Sequence, residues 1–163
     1  MIEYKLITKK DFNQVYNLAS EIWNDNYQNI ISQEQIDYML EMMYSNESLK
    51  NDLKDNFIWE FILQDNETIG YLSYVIKKDN RVFLSKIYLK TSHQGLGHSK
   101  TLLERVKEFA KKNKCSAVYL TVNINNIKGI RAYKNNDFEI IKNQITDIGN
   151  QYVMDDYVFE YLL

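Results

Sequence analysis

The spacing of apolar and polar residues changes along the chain and separates it into helical and strand-like parts. Between residues 12 and 43, apolar residues recur every three or four positions, which is the period of an amphipathic helix. Between residues 57 and 90, three apolar runs rich in β-branched and aromatic residues are joined by short polar segments, a pattern typical of an antiparallel meander. The remainder alternates between the two patterns, so the chain is predicted to mix helices and strands.

The N-terminal third is predicted to contain one strand and two or three helices. Residues 2–7 alternate well enough for a strand. Residues 8–11 (Thr-Lys-Lys-Asp) and 32–35 (Ser-Gln-Glu-Gln) resemble capping boxes, in which side chains pair with the first N–H groups of a helix. A short helix or turn is expected over residues 48–54.

A strand, a glycine turn and a helix follow one another in the middle of the chain. The strand covers residues 81–90, the glycines are Gly95 and Gly97, and the helix is predicted at about residues 97–113. The next run, residues 117–122, is almost entirely apolar, as in a strand covered on both faces. Because a strand, a helix and a second strand in this order form a crossover, the two strands are predicted to pair in parallel.

A helix at about residues 127–136 and strands near residues 138–144 and 152–162 complete the predicted elements. Neither a linker nor a repeat interrupts them, so residues 1–163 are predicted to form a single domain. The predicted fold class is α/β (α+β). We expect a mixed, mostly antiparallel sheet of about 6–7 strands, about 4 flanking helices and one parallel pair around the glycine turn.

Composition excludes several classes of function. The 163 residues are 45% hydrophobic and 26% charged, as in ordinary globular proteins, and the net charge of −2 does not favour a nucleic-acid partner. Cys115 is the only cysteine, so neither an internal disulfide nor a cysteine-based zinc site of the usual count is expected. Because the sequence has neither an apolar run near the roughly 18 residues of a membrane span nor a signal-peptide core, we expect no membrane partner and a cytoplasmic location.

The glycine turn is a candidate phosphate site. Two of the five glycines fall here, before a predicted helix whose first N–H groups and dipole would favour an anion. A Walker A loop is not supported, because Lys100 follows Ser99 with the wrong glycine spacing. A dinucleotide-binding turn would need a third glycine in place of Lys100 and an acidic residue near Asn123, where the next strand ends.

A third pattern fits the turn. The segment Gln94-Gly95-Leu96-Gly97-His98-Ser99 matches Gln/Arg-x-x-Gly-x-Gly/Ala, and here the chain resembles the GNAT superfamily of acetyl-CoA-dependent N-acetyltransferases. Ser99 departs from the last position but is still small. Just before the turn, Ile87-Tyr88-Leu89 stands where the strand of the family offers backbone groups to the pantetheine arm of the cofactor.

A second segment carries the same resemblance. Residues 126–133 are similar to the Asn-x-x-Ala-Ile-x-x-Tyr of the family, with Gly129 in the alanine position. After this helix, Asp137-Phe138 replaces the usual Gly-Phe. A residue that tolerates positive φ is needed there, and aspartate is one of the few side chains that does. The resemblance covers roughly residues 57–138.

The resemblance implies that acetyl-CoA is the acetyl-donor cosubstrate and that no metal is needed. The turn would hold the pyrophosphate mainly through backbone N–H groups. Asn126 would contact the pantetheine arm or order a water, and its plainer role is a helix N-cap. The cofactor-binding residues that follow from the resemblance are Ile87, Tyr88, Leu89, Gln94, Gly95, Leu96, Gly97, His98, Ser99, Asn126 and Tyr133.

Acetyl transfer to an amine requires an unprotonated nucleophile and a proton for the departing thiolate. The resemblance assigns the proton donor to Tyr133, whose plainer role is a packed aromatic residue. For the general base, Glu60 is the nearest candidate. The alternative general base is a chain of waters. The plainer role of Glu60 itself is that of a strand residue whose side chain faces solvent.

The acceptor is less well defined. Residues 32–45 and 154–158 resemble the bacterial branch that includes spermidine/spermine N-acetyltransferases, so the expected function is acetylation of a primary amine, with polyamines as candidates, by direct attack in a ternary complex. Acetylation of a protein N-terminus or lysine, and a non-catalytic acetyl-CoA sensor, are the alternatives. Exposed strand edges would allow a homodimer. Acidic residues in the two segments would line a pocket for a polycation or form charged surfaces; they are Glu34, Asp37, Glu41, Asp155 and Asp156.

Overall fold

The computed structural model describes residues 1–163 and contains seven β-strands and five α-helices. The strands are β1 (Ile2–Leu6), β2 (Ile58–Gln64), β3 (Glu67–Ile76), β4 (Arg81–Leu89), β5 (Ala117–Asn123), β6 (Glu139–Gly149) and β7 (Tyr152–Leu162). The helices are α1 (Phe12–Tyr27), α2 (Gln33–Tyr44), α3 (Asn46–Lys54), α4 (His98–Lys112) and α5 (Ile127–Asn135). None of these helices combines the length and the apolar character needed to cross a membrane.

The strands form a mixed sheet in the order β1-β2-β3-β4-β5-β7-β6. β4 and β5 pair in parallel, from Arg81 opposite Ala117 to Phe83 opposite Tyr119. The pairs β1–β2, β2–β3, β5–β7 and β6–β7 are antiparallel. The predicted fold class is therefore confirmed, including the parallel pair around the glycine turn. The helix count exceeds the prediction by one, because the segment predicted as a short helix or turn is the helix α3.

The chain divides into two compact units. The first comprises Met1–Val75 and Lys86–Leu96, and the second comprises Ile76–Ser85 and Gly97–Leu163. The single domain over residues 1–163 stays a prediction.

Polar side chains begin the helices of the first unit as predicted. Before α1, the backbone N–H of Thr8 donates to Oδ2 of Asp11 at 2.9 Å. At the start of α2, Oγ of Ser32 accepts from the N–H of Gln35 at 3.1 Å. These bonds satisfy donors that have no partner within a helix. They explain why both capping-box segments start helical structure.

The interior of the first unit contains a hydrogen-bonded group of aromatic residues. Trp59 stacks on Tyr71 with ring centroids 6.0 Å apart. The hydroxyls of Tyr44 and Tyr71 lie 2.7 Å apart, and Nε1 of Trp23 donates to the Tyr44 hydroxyl at 3.0 Å. Burial raises the pKa of both tyrosines well above their usual value. Both hydroxyls therefore stay protonated. Their hydrogen bonds allow the large apolar rings to be buried without leaving the hydroxyl groups unpaired.

Gly70 allows β3 to pass close to the end of β4. Beside it, the β2–β3 register shifts between Ile62 and Leu63. A Cβ at Gly70 would overlap the carbonyl oxygen of Tyr88 and lie 3.0 Å from Cδ2 of Leu89. Only glycine fits this approach, so Gly70 helps to position the end of β4 that is predicted to border the pantetheine arm.

The second unit is built around one apolar face of α4. Residues of this face are buried at the spacing that the sequence predicts; they are Leu102, Leu103, Val106 and Ala110. Phe159 of β7 is completely buried, and it pairs in register with Leu120 of β5 and Ile140 of β6. A hydrophobic core therefore accounts for α4, β5 and β7.

β6 is longer than the sequence indicates. It extends over Glu139–Gly149, whereas the prediction ended at residue 144. Almost every residue of β6 is exposed, so burial imposes no alternation of apolar and polar residues on it. Its pairing with β7 holds it in place, and the connecting turn has positive φ at Asn150 (52°) and Gln151 (67°), as favoured in tight hairpins.

Candidate active site

The turn between β4 and α4 has the backbone of an anion site. Gly95 and Gly97 have φ of 73° and 82°, in the left-handed region that glycine adopts without strain. α4 begins at His98, directly after Gly97, and no side chain caps its first turn. The first N–H groups of a fifteen-residue helix are thus left to a ligand or solvent, at the positive end of its dipole.

Gln94 anchors the start of this turn. Its Nε2 donates to the carbonyl oxygen of Leu89 and to Oδ1 of Asn26, both at 3.0 Å. The side chain of Gln94 therefore ties the turn to the end of β4 and to α1. This positions the turn, so any contact of Gln94 with a phosphate would be through its backbone, as the sequence predicts for the turn as a whole.

The turn fits a phosphate-bearing ligand such as acetyl-CoA. Gly95, Leu96 and Gly97 are exposed, and a Cβ built at either glycine would meet no atom within 4 Å. His98 and Ser99 are half-buried in the first turn of α4. The backbone is thus both open and rich in donors, which is the arrangement that binds phosphates.

The predicted pantetheine-binding residues Ile87, Tyr88 and Leu89 are the last three residues of β4, and all are half-buried. The ring of Tyr88 lies 5.5 Å from that of Tyr71, and its hydroxyl is 3.3 Å from the hydroxyl of Tyr27. The side chain of Tyr88 therefore packs in the first unit. This agrees with a role for the strand that depends on backbone groups.

Asn126 caps α5. Its Oδ1 accepts from the N–H of Gly129 at 3.0 Å. A Cβ at Gly129 would lie 2.8 Å from Nδ2 of Asn126 and 3.1 Å from Cγ2 of Val122. The family pattern has alanine at this position. Gly129 therefore leaves room for the capping conformation of Asn126. The predicted contact of Asn126 with the cofactor stays a prediction.

Tyr133 is held at the end of α5 by a Schellman motif. The N–H of Phe138 donates to the carbonyl of Tyr133 at 3.1 Å, and that of Asp137 donates to the carbonyl of Lys134 at 3.2 Å. The ring of Tyr133 packs 6.1 Å from that of Phe138 and 5.6 Å from that of Phe159. Asp137 has φ of 69°, which confirms the expected left-handed residue at this cap.

Replacing Asp137 with glycine is expected to raise the free energy of unfolding by about 0.5–1 kcal/mol, because glycine adopts positive φ without a Cβ penalty. A urea titration measures the change. Since the motif itself is preserved, kcat should stay at the wild-type value. Asp137→Val should instead lower the free energy of unfolding, and a stabilised valine variant would contradict the assignment of strain to this position.

Glu60 is not a solvent-facing residue of its strand. Its exposed fraction is 6%, and its Oε1 accepts from the hydroxyl of Tyr74 at 2.9 Å. The alternative prediction, that the Glu60 side chain simply faces solvent, is therefore wrong. Its assignment as the general base stays a prediction.

The acidic residues of the two segments differ in their surroundings. Glu34, Asp37 and Glu41 lie on an exposed face of α2 in the first unit. In the second unit, Asp155 is half-buried and accepts from Nδ2 of Asn143 at 2.9 Å, whereas Asp156 is only 3% exposed. The sequence did not distinguish Asp156 from the others. The available signal for its burial was its position in a strand, two residues before the apolar pair Val158-Phe159.

Comparison with known proteins identifies the family. The profile of the acetyltransferase (GNAT) family matches residues 12–138. Spermidine N(1)-acetyltransferase from Thermoplasma acidophilum is 28% identical over 159 residues, or 94% of this chain and 96% of that protein. Spermine/spermidine N(1)-acetyltransferase from Bacillus subtilis is 28% identical over 83 residues, or 46% of this chain and 55% of that protein.

Solved structures share the fold. PaiA N-acetyltransferase from Thermoplasma acidophilum, in complex with coenzyme A, aligns with a TM-score of 0.82 at 26% identity, covering 100% of this chain and 99% of that chain. Spermidine N-acetyltransferase from Vibrio cholerae, in complex with CoA and spermine, aligns with a TM-score of 0.71 at 18% identity, covering 99% and 95%. Since the family profile spans most of the sequence, including the glycine turn and α5, this chain is an N-acetyltransferase that belongs to the GNAT family.

Proposed function

We propose that this protein transfers the acetyl group of acetyl-CoA to a primary amine of a polyamine. The observation that carries the proposal is its similarity, over nearly the full length of both chains, to a spermidine N(1)-acetyltransferase. A small-molecule amine is accordingly the proposed partner. Acetyl-CoA supplies the activated acetyl group and a thiolate leaving group.

The glycine turn would bind the pyrophosphate of acetyl-CoA. Support comes from the positive φ of Gly95 and Gly97, the exposed backbone and the uncapped first turn of α4. Leu96, His98 and Ser99 would contribute backbone N–H groups. The last residues of β4 and the side chain of Asn126 would contact the pantetheine arm.

Tyr133 would supply the proton that the departing thiolate needs. Its ring is fixed by Phe138 and Phe159, and the Schellman motif fixes its backbone. A positioned general acid lowers the barrier by protonating the leaving group as the bond to carbon breaks. The rigidity of its surroundings supports this role, because misplacing such a group costs rate.

Attack by the amine would be direct, in a ternary complex. The alternative is a covalent acetyl-enzyme on the only thiol of the chain, Cys115. This thiol is 6% exposed, and burial raises its pKa. Because the thiolate is the nucleophilic form, Cys115 is a poor acceptor of the acetyl group.

A coenzyme A release assay over spermidine, spermine, free amino acids and peptides tests the proposed function. We expect release with the polyamines and saturation by both substrates, with intersecting rather than parallel double-reciprocal plots. Release only with peptides would favour acetylation of a protein N-terminus or lysine. Tight binding of acetyl-CoA without release by any amine would favour a sensor.

A further inference from the structure

Asp156 is a buried carboxylate in the middle of three paired strands. It lies on β7, opposite Asn123 of β5 and opposite Gln144 of β6. It is 3% exposed, and its Oδ1 is buried without a hydrogen-bond partner. Burying a carboxylate oxygen in this state is costly, so folding alone does not explain the residue.

The neighbouring donor does not serve the Asp156 carboxylate. Nδ2 of Asn143 donates to Oδ1 of Asp155 at 2.9 Å and to the backbone carbonyl of Asp156 at 2.8 Å. These bonds satisfy the adjacent acid and the backbone, and they leave Oδ1 of Asp156 unpaired. An asparagine, which carries no charge, would fit the same space at lower cost.

The register places Asp156 on the face of the sheet opposite the proposed proton donor. Side chains alternate along a strand, so Asp156 and Val158 share one face of β7 and Phe159 lies on the other. Phe159 is the residue that packs against Tyr133. The Asp156 carboxylate therefore does not compete with Tyr133 for space beside Phe159, and the two groups occupy separate positions in the second unit.

Asp156 also lies beside the start of α5. The N–H of Ile124, which follows β5, donates to the carbonyl of Asp155 at 3.1 Å, so the strand β7 runs next to the segment that leads to Asn126. α5 then carries Tyr133. The unpaired carboxylate therefore belongs to the same part of the second unit as the helix on which the proposed chemistry depends.

The electrostatic surroundings suit a proton acceptor. Burial, and then the charge of Asp155, raises the pKa of Asp156 to about 6. The residues opposite it, Asn123 and Gln144, are uncharged. Asp155 is its charged neighbour along β7, and Lys142 of β6 lies opposite Val158, two positions farther along β7. At neutral pH the carboxylate is ionised and is a stronger base than an ordinary aspartate.

We propose, on the basis of the proposed polyamine acetylation, that Asp156 binds the ammonium group of the acceptor and takes its proton. The proton moves to Asp156, and the freed nitrogen lone pair forms the bond to the acetyl carbon while the carbon–sulfur bond breaks. The thiolate receives a proton from Tyr133, which recovers one from the nitrogen as the amide forms. Asp156 then releases its proton to water, which balances the reaction.

Asp156 takes the general-base role for which Glu60 is the candidate from the sequence. Oε1 of Glu60 already accepts a hydrogen bond from the hydroxyl of Tyr74 at 2.9 Å. Oδ1 of Asp156 has no such bond. The two assignments predict different variants to lose activity, so one experiment separates them.

The test compares Asp156→Asn, Glu60→Gln and Asp155→Asn by the pH dependence of kcat/KM with spermidine. Asp156→Asn is expected to lower kcat/KM at pH 7.5 about 100-fold and to abolish the fall in activity at acid pH that the carboxylate causes. Glu60→Gln should keep that fall. Asp155→Asn should move the fall to lower pH, because a like charge has been removed, a shift that a purely structural role would not produce.

Binding measurements complete the test. Calorimetry of spermidine with the coenzyme A complex should show at least about tenfold weaker binding for Asp156→Asn, with unchanged affinity for coenzyme A and a melting temperature no lower than that of the wild type. Wild-type kcat/KM and binding in Asp156→Asn would overturn this proposal alone, as would loss of the acid fall in Glu60→Gln. A wild-type protein that neither binds nor acetylates any amine would overturn the proposed function as well.

Discussion

Replacing Tyr133 with phenylalanine is expected to lower kcat about 100-fold, which corresponds to about 2.7 kcal/mol in the activation free energy. The loss follows from removing the hydroxyl that is proposed to protonate the thiolate. The ring contacts with Phe138 and Phe159 involve no hydroxyl, so phenylalanine preserves them. Steady-state kinetics with saturating acetyl-CoA and amine measures the change.

Tyr161→Phe is the matched control for this prediction. Tyr161 also packs against Phe138, at 5.6 Å between ring centroids, and lies in the same unit. It should keep wild-type kcat, since its hydroxyl has no part in the proposed chemistry. The affinity of Tyr133→Phe for acetyl-CoA and its melting temperature should match the wild type. Unchanged kcat in such a folded variant would remove Tyr133 as the proton donor.

Replacing Gly97 with valine is expected to weaken acetyl-CoA binding at least about tenfold, or about 1.4 kcal/mol. Within the protein a Cβ at Gly97 meets nothing within 4 Å, so the side chain would instead occupy the space in which the pyrophosphate is proposed to lie. Valine also disfavours the φ of 82° that places the turn before α4. Calorimetric titration with coenzyme A measures the affinity.

The backbone strain in Gly97→Val requires its own control. Asn66→Val imposes a β-branched residue at φ of 66° in the exposed turn between β2 and β3. Both variants should lose about 1–2 kcal/mol of unfolding free energy from strain. Only Gly97→Val should lose affinity for coenzyme A. Equal affinity in the two variants would contradict the phosphate site at this turn.

Much of the fold was predictable because its signals are local. The apolar spacing in α4, the capping box before α1 and the serine cap of α2 are readable within a few residues, and the structure confirms them. The left-handed conformation of Asp137 was also predictable, since a helix end requires it whichever residue stands there. The glycine turn required more than its own residues, because Gly95 and Gly97 fit several phosphate-binding patterns until the α5 segment is considered.

Features that depend on distant residues escaped sequence reasoning. β6 carries little hydrophobic alternation because pairing with β7, rather than burial, defines it. The hydrogen bond to Glu60 comes from Tyr74 in the neighbouring strand, and Oδ1 of Asp156 is unpaired while Asn143 donates its amide hydrogens to Asp155 and to the backbone of Asp156. Such pairings join residues that are far apart along the chain, so no local pattern announces them.

The burial of Cys115 has a practical consequence for measuring this enzyme. Disulfide reagents that report free thiols react with the thiolate. A thiol that is 6% exposed and has a raised pKa therefore reacts slowly with them. Because the chain has no other cysteine, the coenzyme A released in each turnover is the fast-reacting thiol in the cuvette. The native protein therefore needs no cysteine substitution for continuous colorimetric assays, and a slow signal from Cys115 would report unfolding during the same run.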